Sequence, residues 1–291
     1  MSGTDFLPKI TIPDIFARKK EGRRISMITA YDYPSAQVAD DAGIDIILVG
    51  DSLGMVVLGY ENTLKVTMEE MIHHTKAAAR GRKRALLIGD MPYLSYHTSV
   101  EDAVRNAGRF VQEGGAEGVK VEGGRKRVRV IRAILDAEIP VMGHIGLTPQ
   151  SIHMMGGYKV QGRIFEKAEE LVRDAKILEE EGVFSIVLEG IPDELSRIIS
   201  SELKIPTIGI GAGRYCDGQV LVFHDLLGFN SCYLPKFVRK YANLNDEVKS
   251  SIRRFISDVQ SGDFPSDNES YSLPRDVAEK LLMKYGVTAA D

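Results

Sequence analysis

Apolar residues in this chain come in short unbroken runs, and each run stops at a glycine or a charged group. Ile44–Gly54 (IDIILVGDSLG) sets the pattern, with no polar face along its length until it presents Asp51 and Ser52. A strand buried on both faces reads this way in a parallel sheet covered by helices, where ligands gather beyond the carboxyl ends of the strands. The same grammar recurs at ISMITAYD (Ile25–Asp32), ALLIGDM (Ala85–Met91), PVMGHIG (Pro140–Gly146), FSIVLEG (Phe184–Gly190) and PTIGIGAG (Pro206–Gly213). GVKVE (Gly118–Glu122) alternates instead, and Val220–His224, after a short helix, supplies an eighth strand position.

Between these runs the period changes to that of a helix. Thr67 and Glu70 have the capping-box spacing and open a helix that ends near Gly81. Ser99–Gly114 places Val100, Val104, Ala107, Phe110 and Val111 on one face, and Arg163–Gly182 does so with Ala168, Leu171, Val172, Ala175 and Leu178. Shorter helices are predicted at Ile12–Gly22, from Pro34 to Gly43, at Gly124–Ala137 and at Pro192–Leu203. Leu53–Val66 reads as a long loop, Pro235–Gly262 as helical and Asp263–Pro274 as a polar loop. Strand and helix alternate about eight times with no linker, which favours an α/β chain folded as a (β/α)8 TIM barrel over a doubly wound sheet. The expectation is one barrel domain over residues 1–291, with a short N-terminal helix and a C-terminal extension, 263–291. Gly50-Asp51-Ser52-Leu53-Gly54 lacks the GxGxxG order of a dinucleotide site.

At 291 residues and 44% hydrophobic the chain can bury a large core. Its net charge of -4 is spread along the sequence, which argues against nucleic acid or a membrane surface as partner and for small-molecule substrates. No run approaches the roughly 20 apolar residues of a membrane span, and the first residues lack the order of a secretory signal, so a soluble, cytoplasmic protein is expected. Cys216 and Cys232 have neither CxxC spacing nor a flanking His pair and are expected to be free thiols.

Polar residues at the carboxyl ends of several barrel strands converge on one mouth. The candidates are Asp51, Ser52, Asp90, Lys120, Glu122, His144 and Glu189. Asp51 and Asp90 each follow a glycine at the end of an apolar strand, where an unpaired carboxylate is costly to bury. Two hard oxygen ligands with no soft ligand nearby suit Mg²⁺; the bland alternative is that each Asp caps the next helix or turn. Lys120 and Glu122, two apart, project to the same side of their strand, either as a mutual ion pair or as a substrate clamp. Glu189 is a general-base candidate against a surface ion pair, and His144 a ligand contact against a satisfied core histidine. The Gly209–Gly213 run is a weak phosphate-cradle signal, since no P-loop follows.

Longer motifs sharpen this. TAYDYPSAQVADDAG (Thr29–Gly43), VGDSLGMVVLGYENTLKVTMEEMIHHTKAAARG (Val49–Gly81), GDMPYLSY (Gly89–Tyr96), GVKVEGG (Gly118–Gly124), GHIGLTPQ (Gly143–Gln150), LEGIP (Leu188–Pro192) and GIGAGRYCDGQVLVFHDLLG (Gly209–Gly228) closely resemble the ketopantoate hydroxymethyltransferase family. The resemblance covers roughly Ile10 to Tyr241. It implies a (β/α)8 barrel that transfers a hydroxymethyl group from 5,10-methylenetetrahydrofolate to 3-methyl-2-oxobutanoate, giving 2-dehydropantoate for pantothenate biosynthesis through a Mg-stabilised enolate. It further implies Mg²⁺ on Asp51 and Asp90 with Glu122 in the metal's outer surroundings, oxoacid contacts from Ser52, Asp90 and Lys120 with His144 nearby, Glu189 as the base, and a homodecamer. Departures are small: Gly190-Ile191 stands where many relatives have Cys-Val, and Gly89 where many have Ala. The rival expectations are another Mg²⁺-dependent oxoacid barrel, a C–C lyase or mutase of the phosphoenolpyruvate/pyruvate type, and a non-catalytic small-molecule-binding barrel.

Overall fold

The computed structural model describes residues 8–229 and 234–288 of the chain. Cys232 lies outside them, and Cys216 is a buried free thiol. Eight parallel strands close into a barrel in sequence order: β1 (Ile25–Thr29), β2 (Ile46–Val49), β3 (Leu86–Asp90), β4 (Gly118–Glu122), β5 (Val141–Gly146), β6 (Ser185–Glu189), β7 (Thr207–Ile210) and β8 (Gly218–Leu221), which returns to β1. The helices are α1 (Ile12–Lys20), α2 (Tyr33–Asp41), α3 (Leu53–Val56), α4 (Met68–Gly81), α5 (Val100–Gln112) and α6 (Val128–Asp136). They continue as α7 (Ile152–Met155), α8 (Phe165–Glu181), α9 (Asp193–Glu202) and α10 (Phe223–Leu226). The chain divides into two compact units, Met1–Ala242 and Asn243–Asp291. The second consists of α11 (Leu244–Ser261), a 3-10 turn at Asp267–Glu269 and α12 (Arg275–Tyr285).

The unbroken apolar runs are explained by two cores that share the strands. Met27, Ile46, Leu48, Leu86, Ile88, Met142, Val187, Ile208 and Val220 fill the barrel interior. The alternate residues Ile28, Ile47, Val49, Leu87, Val119, Val121, Ile186 and Leu188 pack outward, in the core shared with the surrounding helices. Successive side chains on a strand take opposite faces, so a strand with two buried faces has no polar alternation to display. Ile10 and Ile15 join the interior cluster from the N-terminal segment. Beside them Arg18 pairs with Asp45 at 2.7 Å and Lys19 with Asp217 at 2.8 Å, ahead of β2 and β8, so α1 covers the amino end of the barrel. The opposite end is left for chemistry.

Local rules hold where the sequence states them plainly. The Thr67–Glu70 capping box forms in both directions, at 3.2 and 2.7 Å, and Ser99 caps α5 through Asp102 N–H at 3.0 Å. Differences arise where polar side chains rather than periodicity organise the backbone. The loop expected at Leu53–Val66 contains α3 and a 3-10 turn, Thr63–Lys65, whose Leu64 N–H bonds to Asn62 Oδ1 at 3.0 Å. The eighth strand begins at Gly218 rather than Val220, and no helix lies between it and β7 among the described residues. Gly218 must lie against β1, since a Cβ there would come 2.5 Å from the Ile25 carbonyl oxygen. Gln219, turned outward to Gly213 O at 2.8 Å, hides that strand's apolar pattern. The helix expected from Pro235 starts at Leu244.

Gly89, at the end of β3, is held by packing. A Cβ there would come 2.2 Å from the Phe110 ring of α5. Gly89→Ala is therefore expected to destabilise the fold by about 1–3 kcal/mol through overpacking. Phe110→Leu should recover most of that loss when combined with it. Urea-unfolding midpoints of the two single variants and the double variant decide the matter, and additive losses would contradict it.

Candidate active site

Five consecutive strands, β2 to β6, carry the expected residues to the carboxyl end of the barrel. Asp90 stands in register with Lys120, and Glu122 with His144. Register partners in adjacent strands face the same side, and so do residues two apart on one strand. Asp90, Lys120, Glu122 and His144 thus form two stacked rows inside the mouth. Asp51 follows β2 and Glu189 ends β6, flanking the rows.

These groups meet with almost no water access. Asp51, Asp90, Lys120, Glu122 and His144 are each between 2% and 4% exposed, whereas the Glu189 side chain keeps 17%. Lys120 Nζ lies 2.8 Å from Asp90 Oδ1 and 3.8 Å from Glu122 Oε1, so its nearer partner is Asp90 and not its neighbour on β4. The Asp51 backbone N–H donates to Asp90 Oδ2 at 3.1 Å. His144 places Nδ1 3.4 Å from Glu122 Oε1 and 3.2 Å from Lys120 Nζ, with Nε2 3.2 Å from Glu189 Oε2. The geometry leaves neither Asp in a helix-capping role: Asp51 Oδ2 accepts from Gln150 Nε2 at 2.9 Å, and no side chain caps α3.

Charge is unbalanced in this nest. Four carboxylates face one ammonium and one imidazole. Burial, then Asp90 and Glu122, push Asp51 well above the ordinary carboxylate range. Burial also raises Asp90, with Lys120 offsetting part of it. Burial opposes a charge on Lys120, yet Asp90, Glu122 and Asp51 outweigh it and hold the ammonium above its usual pKa. Glu122 stays below its usual value despite burial, chiefly because His144 and Lys120 face it. Burial and Lys120 oppose protonation of His144, but Glu122 and Glu189 prevail and raise it to about 9.

Two residues not singled out beforehand complete the wall. Gln150 donates from Nε2 to both Asp51 Oδ2 and the Met91 carbonyl, each at 2.9 Å, while its backbone N–H reaches Glu122 Oε2 at 3.1 Å. Tyr96 donates its hydroxyl to Gln150 Oε1 at 2.6 Å. Tyr96 sits in a turn and Gln150 in the single 3-10 turn Pro149–Ser151, where no periodicity marks a facing side, although each closes one of the longer motifs, GHIGLTPQ and GDMPYLSY. Ser52, by contrast, pairs with the Tyr31 hydroxyl at 2.9 Å rather than with the carboxylates. The Gly209–Gly213 run makes room for protein: a Cβ at Gly211 would meet Phe237 at 2.7 Å, and one at Gly213 would meet Asp193 at 2.1 Å.

Fold and site together define a (β/α)8 enzyme with a buried carboxylate–lysine nest at the carboxyl-end mouth of its barrel. Solved barrels of similar architecture include phosphonopyruvate hydrolase, in a complex with oxalate and Mg²⁺, at TM-score 0.58 and 13% identity, covering 95% of each chain. Another is 2,3-dimethylmalate lyase, at TM-score 0.57 and 16% identity, covering 96% of this chain and 97% of that one. At such identities they speak for the fold alone. Sequence similarity is far closer elsewhere. The chain belongs to the ketopantoate hydroxymethyltransferase family, whose model matches residues 9–267. It is 54% identical over 275 residues to the 3-methyl-2-oxobutanoate hydroxymethyltransferase of Syntrophomonas wolfei, covering 94% of this chain and 100% of that one. It is 57% identical over 269 residues to the enzyme of the same name from Pelobacter propionicus, covering 92% and 100%.

The nest fits a hard divalent cation. Asp90 Oδ1, although close to Lys120, is buried without an aligned hydrogen bond. On the Asp51 side the carboxylate oxygens of Asp90 and Asp51 are met by the Asp51 N–H and the Gln150 amide. Among the described residues no three His, Cys, Asp or Glu side chains form an all-protein metal cage; Mg²⁺ is commonly held by just one or two carboxylates. In metal-free protein, Asp51→Asn should therefore raise stability, on the order of 1–3 kcal/mol, by removing a charge that burial and Asp90 oppose. Mg²⁺ is expected to raise the melting temperature of the unsubstituted protein, and the same change should abolish that rise. Calorimetric scans with and without Mg²⁺ read both effects, and an unchanged metal response in the variant would contradict the cation assignment.

His97 offers a separate pH signature. Its ring lies against Tyr96 and Tyr93, with centroids 4.2 and 5.4 Å away. Burial, then the Arg127 guanidinium, lower its pKa to about 4. The unfolded chain then binds the extra proton between about pH 6.5 and 4 while the folded chain does not, so this group's contribution to stability falls as pH drops through that window. A ring-proton NMR titration should place the midpoint near 4, and His97→Phe should flatten the slope of stability against pH over the same range.

Proposed function

We propose that this protein is a Mg²⁺-dependent 3-methyl-2-oxobutanoate hydroxymethyltransferase that draws its one-carbon unit from 5,10-methylenetetrahydrofolate. The observation that carries the reading is the buried nest itself, with two carboxylates short of positive charge beside a lysine and a carboxylate–imidazole pair. Family membership gives the reaction. Asp51 and Asp90 would hold the metal, and Glu122, engaged with His144 and the Gln150 N–H, belongs to its outer surroundings. Mg²⁺, when bound, supplies Lewis acidity toward the keto and carboxylate oxygens of a 2-oxoacid.

The chain's own groups supply the rest. Glu189, the most exposed acid of the nest, faces the mouth and is aimed by His144 Nε2. Its carboxylate takes the C3 proton of the oxoacid, and the C–H electron pair moves into the carbon framework, placing negative charge on the keto oxygen. Lys120 steadies that oxygen while Asp90 fixes the ammonium. One water cleaves the methylene carbon from both folate nitrogens, which take its two hydrogens as tetrahydrofolate leaves and the carbon becomes formaldehyde; C3 attacks that carbon, and the carbonyl π pair becomes the product hydroxyl by taking the proton back from Glu189. Ser52, tied to Tyr31, borders the oxoacid's place next to Asp51. The homodecamer implied by the motifs and the cytoplasmic location expected from the apolar pattern belong to the same reading; among the described residues no helix is long and apolar enough to cross a membrane.

A mutase or lyase of the phosphoenolpyruvate/pyruvate type would use the same metal and charge logic. Against it stands the family match over residues 9–267. Glu189→Gln separates base from binding. The variant should hold Mg²⁺ and oxoacid with near-native affinity, yet lose about 10²–10⁴-fold both in product formation and in donor-independent exchange of the C3 proton into D₂O. Wild-type exchange in this variant would remove Glu189 as the base and turn attention to His144.

A further inference from the structure

A cation held by two carboxylates answers to whichever of their oxygens are free, and one buried amide settles this for Asp51. Gln150 is 5% exposed and sits in the 3-10 turn Pro149–Ser151, shortly beyond β5. Its backbone is anchored where its N–H donates to Glu122 Oε2 at 3.1 Å. Its side chain crosses to the other acid, with Nε2 2.9 Å from both Asp51 Oδ2 and the Met91 carbonyl oxygen.

Hydrogen-bond chemistry leaves this amide one orientation. An amide nitrogen has two hydrogens to donate and the amide oxygen has none. Turned over, the group would set its carbonyl oxygen against a carboxylate and a second carbonyl, beside an Asp51 that is 4% exposed and has little water to separate them. Tyr96, 1% exposed, reinforces the same choice. Its hydroxyl oxygen accepts from the Glu122 N–H at 3.3 Å and its hydrogen goes to Gln150 Oε1, 2.6 Å away. Glu122 N–H, Tyr96, Gln150 and Asp51 thus make a chain of hydrogen bonds that runs one way.

The consequence falls on Asp51. Its Oδ2 is occupied by the amide, whereas its Oδ1 has no hydrogen-bond partner among the described residues. Asp90 is treated alike: its Oδ2 takes the Asp51 N–H at 3.1 Å, and its Oδ1 is buried without an aligned hydrogen bond. Each acid therefore offers a cation one oxygen. That suits Mg²⁺, because the two oxygens of one carboxylate lie too close together to fill two corners of the near-ideal octahedron it demands. Ca²⁺, larger and with roughly six to eight oxygen ligands, readily takes both.

We infer that Gln150, oriented by Tyr96, is a positioning residue that holds Asp51 to single-oxygen coordination and so makes the nest select Mg²⁺ over Ca²⁺. The inference rests on the proposed cation site. Gln150 acts through Asp51, and Tyr96 through Gln150.

Calorimetric titration of the full chain with MgCl₂ and, separately, with CaCl₂ tests it through the ratio of the two affinities. The unsubstituted protein should prefer Mg²⁺. In Gln150→Leu, which keeps the bulk and removes the amide donors, that preference should fall about tenfold, in line with what partners of metal ligands contribute. Tyr96→Phe removes only the hydroxyl and should lower it about threefold, since Asp51 and Met91 still orient the amide. Added to Gln150→Leu, Tyr96→Phe should change the ratio no further, because the hydroxyl has no amide left to hold. A packing role would weaken both cations alike and leave the ratio unchanged. A wild-type ratio in both single variants, or an unsubstituted protein that binds Ca²⁺ as tightly as Mg²⁺, would overturn the inference while leaving the cation site intact. Should Gln150→Leu fail to fold, Tyr96→Phe decides by itself. Absence of any Mg²⁺ binding by the unsubstituted protein would overturn the cation site and the inference together.

Discussion

Asp51 and Asp90 are buried to 4% and 2% exposure with a backbone N–H of one donating to the other, and the remaining architecture of the site answers to that arrangement. A carboxylate taken out of water loses several kcal/mol of hydration unless charge or hydrogen bonds replace it. Lys120 replaces part of it for Asp90, and Gln150 part of it for Asp51. Neither covers the whole, so burial leaves both acids above their ordinary pKa. That deficit of positive charge is what the proposed cation would answer. A closed barrel can sustain it because strands fix the backbone from which each acid projects, and the register of β3 with β4 aligns Asp90 with Lys120 without help from loops.

The barrel was legible because its strands are buried on both faces. Unbroken runs such as IILV and LLIGD have only one way to be satisfied, between an interior core and a shell of helices. The site residues on regular strands, Asp90, Lys120, Glu122, His144 and Glu189, were legible for the same reason: a charge interrupting such a run has to face the mouth or be paired. Gln150 and Tyr96 were not, since irregular backbone gives no rule for which way a side chain turns, and their roles come from long-range hydrogen bonds, 54 residues apart in the case of the pair they form. The start of β8 was hidden by Gln219, a polar residue on a short strand, and the end of β3 depends on a fit between Gly89 and Phe110 that no local pattern announces.

Architecture and chemistry separate cleanly in the comparisons. Barrels at 12–16% identity share the closed sheet and come from hydrolases, lyases and mutases of small acids, so the fold alone leaves the reaction open. Relatives at 54–57% identity match this chain over their whole length, and its candidate site residues stand on the carboxyl ends of the strands and in the segments after them. A scaffold that fixes the acids and leaves the following turns free can change its second substrate without disturbing the first.

His144 touches Lys120, Glu122 and Glu189 at once. Its Nδ1 is within 3.2 Å of the ammonium and 3.4 Å of Glu122 Oε1, and only one of these can be a hydrogen bond once the ring is protonated. An imidazolium has no lone pair to offer an ammonium. With its pKa raised to about 9, His144 carries the proton at neutral pH, so Nδ1–H donates to Glu122 and Nε2–H faces Glu189. Lys120 Nζ stands 3.2 Å from the ring and 2.8 Å from Asp90, its nearer partner, on the side of the nest where Asp51 also lies. The imidazolium thus joins the acid that faces the mouth to the acid at the back of the site.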